Sequence, residues 1–175
     1  MQKQILAIVL AIVSVIAVAS VAAETSDGAV GDTFQIEVTE SVQIDGDYPT
    51  YKLGFEITSD TTVSLVLNDA NNQNITDRYD ARNLVIPETV TYDSTTYTVT
   101  EIGRSVFSAT PNLITVTIPD TITTIDSYAF YNSGLGQGSE TSDWKLEIPD
   151  SVTTIGYGVF QDTSVTSATL SDSLT

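Results

Sequence analysis

Hydrophobic and polar positions alternate along this chain in two regimes. Between residues 32 and 83 the alternation is local, in "FQIEV", "YKLGFEI" and "TVSLVL", and predicts a run of half-buried strands. From residue 84 onward the alternation comes in phrases that recur. "VTEIGRSVF", "ITTIDSYAF" and "VTTIGYGVF" end at Phe107, Phe130 and Phe160, separated by 23 and then 30 residues. Each phrase follows a proline start: "VIPETV" at 85, "TIPDTI" at 117 and "EIPDSV" at 147. A fourth start, "TLSDSL" at 169, has Ser171 in place of proline. Repetition at this period predicts a stack of similar coils, because one unit of this size cannot bury its own apolar face.

Within each unit the two-residue period assigns the faces. Leu84 and Ile86, Val116 and Ile118, Leu146 and Ile148, and Ala168 and Leu170 are predicted to point inward as a ladder. Thr115 and Thr117, Lys145 and Glu147, and Ser167 and Thr169 then form outward columns. A second apolar pair follows the proline (Val99/Ile102, Ile122/Ile125, Val152/Ile155), and a short turn ends each coil at the Phe. Two insertions interrupt the scheme. "TYDSTTYT", between Val90 and Val99, has hairpin composition, with Tyr92 and Tyr97 flanking a polar "DSTT" turn. "GLGQGSETSDW", before Lys145, is a Gly/Ser/acid-rich surface loop.

The fold class expected is mainly β, a solenoid of short strands and turns over residues 84–175, preceded in residues 24–83 by a β-rich cap that shields the first unit. The last unit stops at Thr175, before a fourth Phe. Either the array continues in a longer protein, or the final coil exposes apolar surface.

The N-terminus changes the picture of where the chain works. In "MQKQILAIVLAIVSVIAVASVAA", Lys3 precedes a long uncharged, mainly apolar run ending in small residues, with Val21 and Ala23 at the positions of a cleavage site. Residues 1–23 are therefore read as a secretory signal. Ile5 to Ala23 is also long enough to serve as an uncleaved N-terminal anchor. Both readings make the protein secreted or cell-surface, and membrane contact is confined to the uncleaved form.

Charge and composition exclude more than they assign. The chain carries a formal charge of −17, and losing residues 1–23 removes Lys3 and no acid, giving −18. A polyanion is repelled by such a surface, so nucleic acid is not an expected partner. With no Cys and no His, there are no disulfides, no Cys/His zinc sites and no nucleophiles built on those side chains. No cofactor is implied.

The phrases "LITVTIPDTITTIDSYAF" and "LEIPDSVTTIGYGVF" resemble units of the BspA-type leucine-rich repeat. The pattern IPxxVxxIGxxAF occurs in three copies over 84–164, with a partial copy at 165–175, and "LVIPETVTYDSTTYTVTEIG" looks like that family's usual first repeat. The resemblance implies a leucine-rich-repeat solenoid on exported or surface proteins of microbes, often acting in adhesion. Family members often carry Cys shortly after the Phe. Here Ala109, Asn132 and Asp162 stand there, which implies a looser or more hydrated inner stack.

Candidate sites are few. Asp69, Asn71, Gln73, Asp77 and Asp80 have oxygen-ligand spacing like a calcium loop, but Asn74 replaces the turn glycine and the flanks are β-like, so a polar cap loop is the better reading. Asn74-Ile75-Thr76 is a glycosylation sequon in the same loop, expected to be solvent-exposed. Asp45, Asp47 and the acids of "GSETSD" lack anything to fix them as a glycosidase pair. Trp144 either recognises a partner or covers the core beside the insertion. The candidate binding surface comprises Thr115, Thr117, Trp144, Lys145 and Glu147. The expected function is a non-catalytic, exported protein-interaction module used in adhesion, whose partner is an extracellular or cell-surface protein. A structural spacer or N-terminal piece of a larger surface protein is the second reading, and a polysaccharide-active enzyme the third.

Overall fold

The alternating segments fold as strands in a computed structural model of the chain, which describes residues 28–39, 50–68, 76, 81–137, 145–170 and 174. Three strands, β1 (Thr33–Thr39), β2 (Thr50–Ile57) and β3 (Thr62–Val66), form an antiparallel meander. Phe34 lies opposite Phe55, and Ile36 opposite Leu53. All four are buried, as the two-residue period requires of one face. Strand β3 then pairs in parallel with β6 (Thr95–Ile102), with a bulge between Val63 and Ser64.

Strand β6 begins the repeat array. It pairs antiparallel with β5 (Thr89–Tyr92) in a hairpin and in parallel with β8 (Thr124–Ile125), which pairs with β10 (Thr154–Ile155). These seven strands make one continuous sheet. The other strand face of the coils is made of two parallel pairs: β4 (Asn83–Val85) with β7 (Thr115–Thr117), and β9 (Leu146–Glu147) with β11 (Ala168–Thr169).

A third column of hydrogen bonds runs through the turns that carry the phenylalanines. The N–H groups of Ser105, Phe107 and Ala109 donate to the carbonyls of Ser127, Ala129 and Tyr131, and those of Tyr128, Phe130 and Asn132 donate to Tyr157, Val159 and Gln161. Alternate residues thus bond coil to coil, as in a parallel ladder. Inside this column the rings stack, Phe107 on Phe130 at 5.4 Å and Phe130 on Phe160 at 5.7 Å between centroids. Ile118, Ile122, Ile125 and Phe130 fill one layer of the core, all buried.

The turns obtain their shape from two left-handed residues placed two before and two after each Phe. These are Ser105 and Ala109, Tyr128 and Asn132, and Gly158 and Asp162, with φ between 51° and 64°. Such backbone costs a residue with a Cβ about 1 kcal/mol or more, and short polar side chains bear it best. Ala109, Asn132 and Asp162 therefore lie exposed at corners, outside the aromatic stack. Phe107 and Phe130 are 0% exposed beside them, so at these two rings the stack is closed to solvent and the expectation of a looser, hydrated one is corrected there; Phe160 is half-buried. Gly156, in the "IG" of its repeat, has a separate reason to be glycine. A Cβ there would come within 2.3 Å of the Ser127 backbone nitrogen of the preceding coil.

Three further expectations change. Ala168 and Leu170 do not point into the core: Ala168 is exposed and Leu170 is 53% exposed, because no described coil covers that side of β11. The hairpin turn is two residues rather than four. Asp93 (φ 46°) and Ser94 (φ 63°) make it, while Thr95 and Thr96 pair with Tyr92 and Thr91. Thr76, the last residue of the sequon, is buried rather than exposed. Its hydroxyl donates to Val66 O (2.5 Å) and accepts from Gly54 N–H (2.9 Å), bridging β2 and β3. Among the described residues no helix is long and apolar enough to cross a membrane; the apolar run of residues 1–23 lies outside them.

Candidate functional site

The outward columns are distributed unevenly. Thr117, Lys145 and Glu147 are exposed. Thr115 is half-buried, and its hydroxyl donates to Asn83 Oδ1 at 3.0 Å, tying β7 to β4. On this face, then, Thr117, Lys145 and Glu147 are the candidates that solvent reaches, held by strands whose inward neighbours build the core. Trp144, Asn74, Asp45, Asp47, the calcium-like positions Asp69, Asn71, Gln73, Asp77 and Asp80, and the acids of "GSETSD" lie outside the described residues. Among the described residues no group of three or more acidic side chains is placed to hold a metal ion.

Between β7 and β9 the face is open. Strands β8 and β10 of the same two coils are directly paired, and their Phe turns are laddered, yet no backbone hydrogen bond joins β7 to β9 among the described residues. A cleft of about 450 Å³ lies there, walled by Val116, Thr117 and Asp120 of one coil and by Lys145, Glu147 and Asp150 of the next. Its cause is legible in the chain. The coil remains in step through Leu135, which is buried and whose carbonyl accepts Ser164 N–H, and through Gly136, whose N–H donates to Ile114 O. Leu113 is three residues before Val116, whereas Leu135 is eleven before Leu146, so the second coil re-enters its strand late.

A third surface was not marked by the strand pattern. Tyr157 is 72% exposed and packs edge-on against Tyr128 at 5.6 Å; Tyr128 meets Tyr131 edge-on at 5.7 Å, and the Arg104 guanidinium lies 5.5 Å from the Tyr128 ring. Aromatic edges and a cation on a ring face are favourable contacts that hold these side chains in place. The signal in the sequence was the pair of tyrosines inside "DSYAF" and "GYGVF", at positions between the last inward Ile and the Phe. Alternation alone is silent there, because the segment is a turn rather than a strand.

The stacking order, the aromatic column and the paired turns are those of a repeat protein, and the sequence matches the BspA type leucine rich repeat region in six copies over residues 81–136 and 139–175. This chain belongs to the BspA-type leucine-rich-repeat family. Solved structures that align with this chain include the pneumococcal vaccine antigen PcpA (19% identity, TM-score 0.44), for which the alignment covers 83% of this chain and 39% of that one. A leucine-rich repeat protein from Bacteroides ovatus aligns at 18% identity and TM-score 0.30, covering 70% of this chain and 40% of that one. A leucine rich cell surface protein from Faecalibacterium prausnitzii aligns at 14% identity and TM-score 0.26, covering 69% and 56%. The chain thus spans well under two thirds of the length of each of these three structures. No curated protein matches it. BspA-type repeats account for the two-strand, one-turn coil seen from Asn83 onward; strands β1 to β3 precede the matched region.

Proposed function

We propose that this chain is an exported, non-catalytic module for protein-protein interaction at the cell surface, acting in adhesion. The observation that carries the reading is the outer strand face. Thr117, Lys145 and Glu147 point to solvent from a scaffold whose core is built by their neighbours, so they are fixed in space without serving the packing. The Tyr128, Tyr157 and Arg104 cluster supports the same reading, since tyrosine and arginine are the residue types that dominate protein contacts. On this reading residues 1–23 direct export or anchor the chain, residues 24–83 cap the array, Asn74 is a site of glycosylation where the cell carries that pathway, and the partner is an extracellular or cell-surface protein.

The test is a pull-down with the purified chain against extracellular and cell-surface proteins, with a triple substitution of Thr117, Lys145 and Glu147 beside the wild type. Retention of a partner by the wild type and its loss in the variant is the expected result. Absence of any bound protein, together with turnover of a polysaccharide, overturns the reading. A spacer within a longer surface array is the second reading, favoured by the exposure of Leu170 beside β11, the last described strand. Reading the genomic DNA past the codon for Thr175 separates the two.

A further inference from the structure

We infer that the cleft between β7 and β9 is a strand-addition site, which receives an extended peptide segment of a partner protein carrying basic side chains. The inference rests on the reading of the chain as a protein-interaction module and assigns the partner's chemistry and its place of entry.

Hydrogen bonds fix the direction of the peptide groups that border the cleft. On β7, Thr115 N–H donates to Arg82 O and Thr117 O accepts Ile86 N–H, both at 3.1 Å, so these residues face β4. On β9, Leu146 N–H donates to Ser167 O and Ile148 N–H to Thr169 O, both at 3.1 Å, so these face β11. Peptide groups in a parallel ladder alternate in direction, so Val116 and Glu147 turn theirs toward the cleft. Two strands of neighbouring coils thus present facing edges with no ladder between them among the described residues. An unpaired edge is a template for another extended chain, since backbone N–H and C=O groups are obligatory bonding groups. A strand entering here meets an edge on each side, whereas a strand adding to the outside of a sheet meets one.

Among the described residues, this is the corner at which the two coils are not paired. Direct pairing of β8 with β10 and the ladder of the Phe turns keep the other two sides of the same coils closed. The opening is therefore a wedge with fixed walls, and an entering segment completes a gap that already exists. Its charge preference follows from the walls. Asp120, Glu147 and Asp150 line the cleft against one base, Lys145, in a chain of net charge −17. A segment with lysine or arginine at its outward positions is attracted, and an acidic one is repelled.

Fluorescence anisotropy with the full chain and a labelled hexapeptide of alternating lysine and valine tests this. The peptide is expected to bind saturably, and an alternating glutamate and valine peptide is not. Val116→Pro removes the N–H that faces the cleft while leaving the bonds to β4, and is expected to weaken binding about tenfold. Methylating alternate backbone nitrogens of the peptide, with its charge unchanged, tests the same contact without altering the fold, and binding should fall by a similar factor. Glu147→Lys should weaken the lysine peptide and leave the effect of methylation in place. Equal binding of methylated and parent peptides overturns strand addition, as does equal binding of the acidic peptide. Self-association of the chain that Val116→Pro abolishes also overturns it, because the occupant is then a second copy. A partner retained equally by wild type and Val116→Pro in the pull-down overturns this inference and leaves the interaction reading intact.

Discussion

Phe130 has an aromatic ring on either side of it, Phe107 at 5.4 Å and Phe160 at 5.7 Å, so removing it opens a hole that neither neighbour can fill alone. Phe130→Ala is expected to destabilise the chain by about 3–5 kcal/mol in urea denaturation. Phe160→Ala should cost roughly half as much, because Phe160 is only half-buried and its outer face meets no described ring. A second pair of residues separates satisfied from unsatisfied polar burial. Thr110 is fully buried and donates to Phe107 O at 2.6 Å, and Thr163 repeats the contact with Phe160 O at 2.8 Å. Ser133 stands at the same place in the middle coil, but its buried hydroxyl has no hydrogen-bond partner among the described residues. Thr110→Val should therefore lower stability by about 1–3 kcal/mol, whereas Ser133→Ala should leave it unchanged or raise it. Thermal melts of the two variants side by side check the contrast. The phenylalanines were enough to foresee stacked coils, since each one ends its phrase whatever the length of the loop that follows. The left-handed corners at Ser105, Tyr128 and Gly158 were not foreseeable, because three different side chains share one backbone shape.

Elements were legible where their neighbours in sequence are also their neighbours in space. The hairpin of β5 and β6 is of this kind: Tyr92, Val90, Tyr97 and Val99 are buried as alternation requires. Only the length of its turn differed, since threonines read as turn residues pair equally well as strand residues. With both turn residues at positive φ, replacing Asp93 and Ser94 by Asn and Gly is expected to raise stability by about 1 kcal/mol, seen as a higher urea midpoint with an unchanged slope. Strand β11 is the opposite case. Its alternation named Ala168 and Leu170 as inward residues, but inwardness is conferred by a further coil packing against the strand, and no described residue supplies one. The candidate site divides in the same way. The outward direction of Thr117, Lys145 and Glu147 follows from the two-residue period, whereas the cleft beside them depends on how the chain returns after Gly136: the insertion is visible in the sequence, but its effect on strand pairing is not.

At the scale of the whole molecule, three ladders run side by side: the seven-strand sheet, the paired strands of the outer face and the bonded Phe turns. All of their hydrogen bonds between coils lie along one direction, from each coil to the next. A pull applied along that direction loads the bonds of the outermost coil before those of the coil beneath it, so the array should yield in steps and at low force. One regular coil, the 23 residues from Phe107 to Phe130, would release roughly 75 Å of chain once its ~5 Å pitch is subtracted. Single-molecule extension of the chain should therefore give a sawtooth with that spacing, and a single cooperative rip of several times the length would contradict it. The break between β7 and β9 leaves two of the three ladders at that interface, so once the terminal coil has peeled away it is expected to yield at lower force than the interface that joins β4 to β7. A chain tethered between two surfaces would then lengthen there more readily than at the fully laddered interface before it, in a place set by seven added residues.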